Sequence, residues 1–230
     1  PAAVLQAMEL LSQGTPNEEG LGNLLCVDVG GATTDVYSVL DGRPKDSQVI
    51  YQGLEEPFAK RTVEGDLGVR YSVHSLIEAA GLENVAAWSG LTAGETEELV
   101  NQLDKKPYLL KEDDPRLEGL DAGLAKAAVK LAVERHAGTI RIEYTPMGCI
   151  KVQEGKDLSD VDYIIGTGGA LIGSPRPADV LGFAQLQEGE ATLSLKPKKG
   201  KLCLDRDYII AAMGLLAQRY PDIALKIMKK

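Results

Sequence analysis

The chain has 230 residues, 44% of them hydrophobic, enough to bury an ordinary core in one large domain or two small ones. Acidic residues outnumber basic ones by 34 to 25, and the net charge of -9 repels a phosphate backbone, which argues against nucleic acid as a partner. Cys26, Cys149 and Cys203 are odd in number and far apart, so they suggest neither a disulfide framework nor a zinc site. No apolar run approaches the roughly 20 residues of a membrane span and no signal-like leader opens the chain, so no membrane partner and a reducing, cytoplasmic setting are expected.

Val4, Leu5, Met8 and Leu11 fall at helical spacing from the first residues, and a start on Pro1 inside such a pattern is what a chain with upstream sequence would show. A glycine-containing stretch over 14–22 breaks that helix. The apolar run 24–29 reads as a strand, Gly30-Gly31 as a tight turn, and the alternation over 35–40 as a second strand closed by Asp41-Gly42. Residues 47–51 and 57–63 are expected to add two strands to one antiparallel unit. From 66 to 136 the pattern turns helical, with Leu67, Tyr71, His74 and Ile77 on one face and Leu117, Leu120, Leu124, Ala128 and Leu131 on another. Extended segments follow over 139–152, then a short strand over 161–165 ended by Gly166-Thr167-Gly168-Gly169, and helices over 178–183, 208–219 and 223–228. The four lysines between Lys196 and Lys201 read as a solvated loop. The order predicts an α/β protein, with 1–65 and 137–230 forming one subdomain and 66–136 a helical insertion.

Chemistry concentrates at Asp28-Val29-Gly30-Gly31-Ala32-Thr33-Thr34-Asp35, where two glycines, two threonines and two aspartates occupy eight residues after an apolar strand. A carboxylate at a strand's end can hold a magnesium ion or its waters, glycines leave backbone N–H groups open to phosphate oxygens, and the hydroxyls add donors. Asp35 can accept from the turn and fix its shape. A plain glycine hairpin is the bland alternative. The second glycine-rich turn, Gly166 to Gly169, suits close packing against a purine and ribose. It is not a dinucleotide fingerprint, because Leu171 stands where a third glycine is needed, and no GxxxxGK[ST] occurs anywhere.

The string 28–36 resembles the second phosphate motif of the actin-like ATPase superfamily, and Gly166 to Gly169 resembles its adenosine motif. The segments 55–68 and 135–139 are further similar to the glutamate mutase accessory protein (MutL) family within that superfamily. The resemblance covers most of the chain. It implies an actin-like (ribonuclease H-like) fold with an inserted helical subdomain, and ATP and Mg as cofactors. It further implies that Asp28 organises magnesium through water together with the attacking water, and that Gly30, Gly31, Thr33 and Thr34 contact the phosphates. Gly166, Thr167, Gly168 and Gly169 would hold the adenosine. Glu64, Gly65 and Asp66 would open the first inserted helix and face the nucleotide. The implied partner is an adenosylcobalamin-dependent mutase or aminomutase, reactivated by cofactor exchange, and a homodimer stays open. The superfamily's first phosphate motif is absent from these residues, so weak nucleotide binding and negligible hydrolysis are expected of this chain alone. A small-molecule kinase of the same fold and a non-catalytic actin-like scaffold are the competing readings. Outside the motifs, His74 reads as structural, His136 as a cation at a helix end, Cys26 as an inert buried thiol and Trp88 as a core residue.

Overall fold

The computed structural model describes residues 2–146, 148–190 and 193–230. It begins with α1 (Ala2–Gln13) and the two-residue strands β1 (Gly14–Thr15) and β2 (Glu18–Glu19). Strands β3 (Leu24–Val29), β4 (Thr34–Val39), β5 (Val49–Gln52) and β6 (Ala59–Glu64) precede helices α2 (Val73–Ala80), α3 (Leu82–Ser89), α4 (Ala93–Lys105) and α5 (Arg116–His136). Then come β7 (Thr139–Thr145), β8 (Gly148–Glu154), β9 (Tyr163–Thr167), α6 (Gly169–Ile172), α7 (Pro177–Leu181), β10 (Lys201–Leu204), α8 (Ile210–Ala217) and α9 (Pro221–Met228). The arrangement is mixed α/β.

The main sheet has the order β10-β9-β3-β4-β6. Strands β3, β4 and β6 are mutually antiparallel, while β9 and β10 run parallel to β3. Alternation along the central strands sends side chains into two cores. Leu25, Val27, Val29, Val36 and Ile164 join the core that holds the buried faces of α2–α7, whereas Leu24, Cys26, Tyr37, Val39 and Ile165 meet α1, α8 and α9. Both faces of β3 are therefore covered, which explains why its sequence is a continuous apolar run rather than an alternating one. Helix α5 rests on β3 and β4 and carries α2, α3 and α4 along its length. The 66–136 block thus shares one continuous core with the sheet through Leu117, Leu120, Leu124, Ala125 and Ala128.

The strand expected near 47–51 forms, but it leaves the antiparallel unit. Strand β6 occupies the free edge of β4 over six residue pairs, and the four-residue β5 pairs instead with β8 in a second sheet of order β5-β8-β7. The solvated loop expected over 196–201 is present at its centre, where Lys198 and Lys199 are exposed, but not at its two ends. Lys196 is buried with its ammonium 3.3 Å from Glu190, and Lys201 opens strand β10. Lys156 is also fully buried, donating to the carbonyls of Pro57 and Phe58 at 2.7 Å each. Burial, followed by repulsion from Lys60, pulls its ammonium down to about 8.

His136 is not an exposed cation at a helix end. Its ring is fully buried, with Nε2 2.8 Å from Ser38 Oγ and Nδ1 2.8 Å from Thr62 Oγ1, so it ties α5 to β4 and β6. Burial first, then repulsion from Lys60 and Lys156, lowers it from 6.5 to about 3, and it stays neutral. A depressed folded-state value means that neutral His136 stabilises fully above pH 6.5 and that this share is lost as pH falls toward 3. Below pH 6.5 this residue alone should add a slope approaching ~1.4 kcal/mol per pH unit to the unfolding free energy. The slope should vanish in His136→Asn, measured by urea unfolding between pH 7 and pH 5; an identical slope in both proteins would contradict the assignment.

Candidate functional site

Two glycine turns meet at one end of the main sheet. Parallel pairing sets Asp28 of β3 opposite Thr167 of β9, so the chain leaves both strands side by side. Gly168 makes the closeness possible. It has φ +92°, and a Cβ there would lie 2.5 Å from the Val29 carbonyl oxygen and 2.6 Å from Asp28 Oδ1. Gly30 and Gly31 do not use positive φ. Gly30 is required because a Cβ would stand 2.8 Å from the Thr33 oxygen, which accepts the turn-closing bond from Gly30 N–H at 2.9 Å. Among the described residues, none accepts a hydrogen bond from the N–H groups of Gly31, Ala32 or Thr33.

The strap 67–72, running from β6 into α2, braces the back of this turn. Val69 N–H donates to Gly30, and those of Arg70 and Tyr71 donate to Gly31, at 2.8–3.2 Å. Ser72 Oγ donates to the carbonyls of Ala32 and Gly65. Thr34 is fully buried, with its hydroxyl donating to Leu67 O at 2.7 Å, so it fixes the strap and is not directed into open space. Thr33 stays near the surface, 3.3 Å from Asp35. Glu64 ends β6 and Gly65 lies in the turn beyond it, because the first helix of the block starts only at Val73. Glu64 and Asp66 instead clamp Arg135 at the end of α5, at 2.8 and 2.7 Å.

Three carboxylates surround the meeting point, and two are committed. Asp35, directly across from Asp28, is held by Arg61 at 2.6 Å. Asp205 accepts from Thr167 Oγ1 at 3.0 Å and from the N–H groups of Ile209 and Ile210 at the start of α8. Asp28 has no donor or cation among the described residues, and burial, then Asp35 and Asp205, push its carboxyl above the usual range. Tyr208 sits nearby with φ +53°, a strained conformation for an aromatic residue. Asp28 is the main cause of the rise in its phenol's pKa.

Beside these turns opens a cleft of about 440 Å³, within the size range of small-molecule sites. Val29 and Gly31 line it from the first turn, Gly169 and Ala170 from the second, Arg70 from the strap, and Asp121 and Ala122 from α5. Of the expected site residues only Gly31 and Gly169 line it; Asp28, Gly30, Thr33, Thr34, Glu64, Gly65, Gly166, Thr167 and Gly168 lie outside its lining. A smaller recess, bounded by Trp88 and Lys126, continues it along α5. Trp88 itself packs edge-on against Phe183 at 5.2 Å.

Sequence reasoning missed Arg70, Asp121, Asp205 and Tyr208. Only Asp205 carried a readable signal, as an aspartate a few residues before an apolar helix.

The geometry defines a two-turn, glycine-lined pocket at one end of the main sheet of a mixed α/β protein. The MutL protein family model matches residues 1–230, and the chain belongs to that family. It is 46% identical over 230 residues to Protein MutL of Clostridium tetanomorphum, covering 100% of this chain and 49% of the relative, so it spans about half of that relative's length.

Gly168→Ala should lower stability by about 2–4 kcal/mol, since both the backbone angle and the Val29 contact forbid a Cβ. Gly169→Ala, where a Cβ meets nothing, should change it by less than about 1 kcal/mol. Equal melting losses in the two variants would contradict the close-approach account.

Proposed function

We propose that this chain is the nucleotide-binding half of an actin-like ATPase that serves an adenosylcobalamin-dependent mutase as an accessory or reactivating factor. The observation that carries the nucleotide reading is that a single cleft is lined by both glycine turns, Gly31 on one side and Gly169 on the other. Three antiparallel strands extended by two parallel ones, with helices on both faces, are compatible with a ribonuclease H-like core. In that fold the 66–136 block is the inserted helical subdomain, resting on the sheet through α5.

In this reading ATP lies with its phosphates toward the open N–H groups of residues 31–33 and its adenosine against 166–170. Thr33 adds a hydroxyl near the phosphates, and Thr34 and Thr167 act indirectly, one holding the strap and the other Asp205. Magnesium, when bound, offsets phosphate charge and fixes phosphate geometry. Asp28 fits it as an uncompensated carboxylate. An ion shared between one carboxylate, water and phosphate needs no cluster of protein ligands. The mutase partner rests on family membership and the implied role of that family. No helix among the described residues is long and apolar enough to cross a membrane.

Calorimetric titration tests the site. ATP should bind the chain weakly, and withdrawing magnesium should loosen it by roughly 10-fold in the wild type but hardly at all in Asp28→Asn. Magnesium dependence that survives unchanged in Asp28→Asn would contradict the role given to that carboxylate. Retention of a cobalamin mutase on the immobilised protein should change with ATP, and retention indifferent to nucleotide would contradict the accessory role.

A further inference from the structure

We infer that Arg70 is the phosphate-reading side chain of the cleft and that Asp121 is the counter-ion it gives up when a nucleotide's phosphates arrive, an inference that rests on the nucleotide reading above.

Arg70 is fastened to the phosphate turn itself. Its N–H donates to Gly31 O at 2.8 Å, and its stem runs past Gly31, with Cβ 3.6 Å from where a side chain there would begin. The guanidinium thus springs from a point fixed beside the N–H groups of residues 31–33. From there it crosses the cleft to α5, where Nη2 donates to Asp121 Oδ2 at 2.9 Å. Both residues line the cleft.

The pairing is poorly satisfied. Nη1 lies 2.8 Å from Asp121 Oδ1 and also donates to the Val69 carbonyl at 3.0 Å, while Oδ1 is shut off from water without an aligned hydrogen bond. An oxygen in that position has lost its hydration without full replacement, which costs free energy, and the Asp121 side chain is 34% exposed, so water can take over when Arg70 leaves. Burial accordingly holds the Asp121 carboxyl above its ordinary range even with Arg70 opposing it. A phosphate group offers the guanidinium two well-aligned acceptors at once, a better match than this carboxylate provides.

Two cations line the cleft, Arg70 and Lys111, and each has a carboxylate partner, but of the two only Arg70 is bonded to the glycine turn. Arg61 holds Asp35, Arg135 holds Glu64 and Asp66, and Lys111 holds Glu118 at 3.0 Å. With Asp28 uncompensated beside the turn, an incoming triphosphate meets net negative charge, and Arg70 is the cation positioned to offset it. The exchange has a structural consequence. Releasing Asp121 loosens the link between the strap and α5, the helix that carries α2, α3 and α4, so phosphate occupancy is communicated to the helical block.

The test compares wild type, Arg70→Ala, Arg70→Lys and Asp121→Asn by titration calorimetry with ATP, inorganic tripolyphosphate and adenosine at low salt. Arg70→Ala should weaken ATP and tripolyphosphate by about 10- to 100-fold and leave adenosine within about 2-fold, with Arg70→Lys in between. Asp121→Asn, by freeing Arg70, should tighten ATP and tripolyphosphate by roughly 2- to 10-fold. The opposite signs are the signature, and Arg70→Lys supplies the weakening arm if Arg70→Ala fails to fold. If Asp121→Asn weakens ATP, the pair is a structural brace or Asp121 touches the nucleoside, and the proposal is wrong. If Arg70→Ala and Arg70→Lys both bind ATP like wild type, it is equally wrong. Absence of any ATP binding by the wild type overturns the nucleotide reading and this inference together, a result distinct from the other two.

Discussion

The candidate site depends on the close approach of Gly168 to the end of β3. Two strands that lie together in a parallel pair must release their chains in the same direction, and here both exits are glycine turns. Only a residue without a Cβ lets the second turn lie against the backbone of Val29 and the carboxylate of Asp28. That contact sets the separation of the two turns, and with it the width of the cleft between Gly31 and Gly169. The apolar packing on both faces of β3 holds the register that brings them together.

Charge balance around this point is uneven in an informative way. Asp35 and Asp205 are each held by cations or donors from neighbouring elements, so they shape the site. Asp28, between them, is left partly desolvated with nothing to pair with. A partly buried uncompensated carboxylate is costly, and such costs persist where a ligand relieves them. The imperfect Arg70 and Asp121 pair and the strained backbone of Tyr208 lie around the same region. Destabilising features therefore gather where the glycines gather, whereas the buried His136 network elsewhere is fully hydrogen-bonded.

Much of the local structure was legible because it follows from periodicity. The apolar run 24–29, the alternation after the glycine turn and the helical spacing in 116–136 each report burial directly, and they appear as β3, β4 and α5. Partner choice was not legible. Strand β5 looks like a neighbour of β4, yet its partner β8 comes about a hundred residues later, and only competition with β6 for one edge decides the matter. The burial of Lys196 hid among exposed lysines, since a lysine stem can be buried when a carboxylate such as Glu190 receives its head. The motif at 28–35 announced the glycine turn between β3 and β4. The cleft's far wall, where Asp121 meets a residue 51 positions away, exists only once the helices are packed.

The most direct measurement is an amide chemical-shift map of the chain titrated with a magnesium-bound, non-hydrolysable ATP analogue. The account predicts that the largest changes fall on Gly31, Ala32, Thr33, Gly168 and Gly169, with smaller ones spreading to α5. Shifts confined to other surfaces, with these five amides unmoved at saturation, would contradict it.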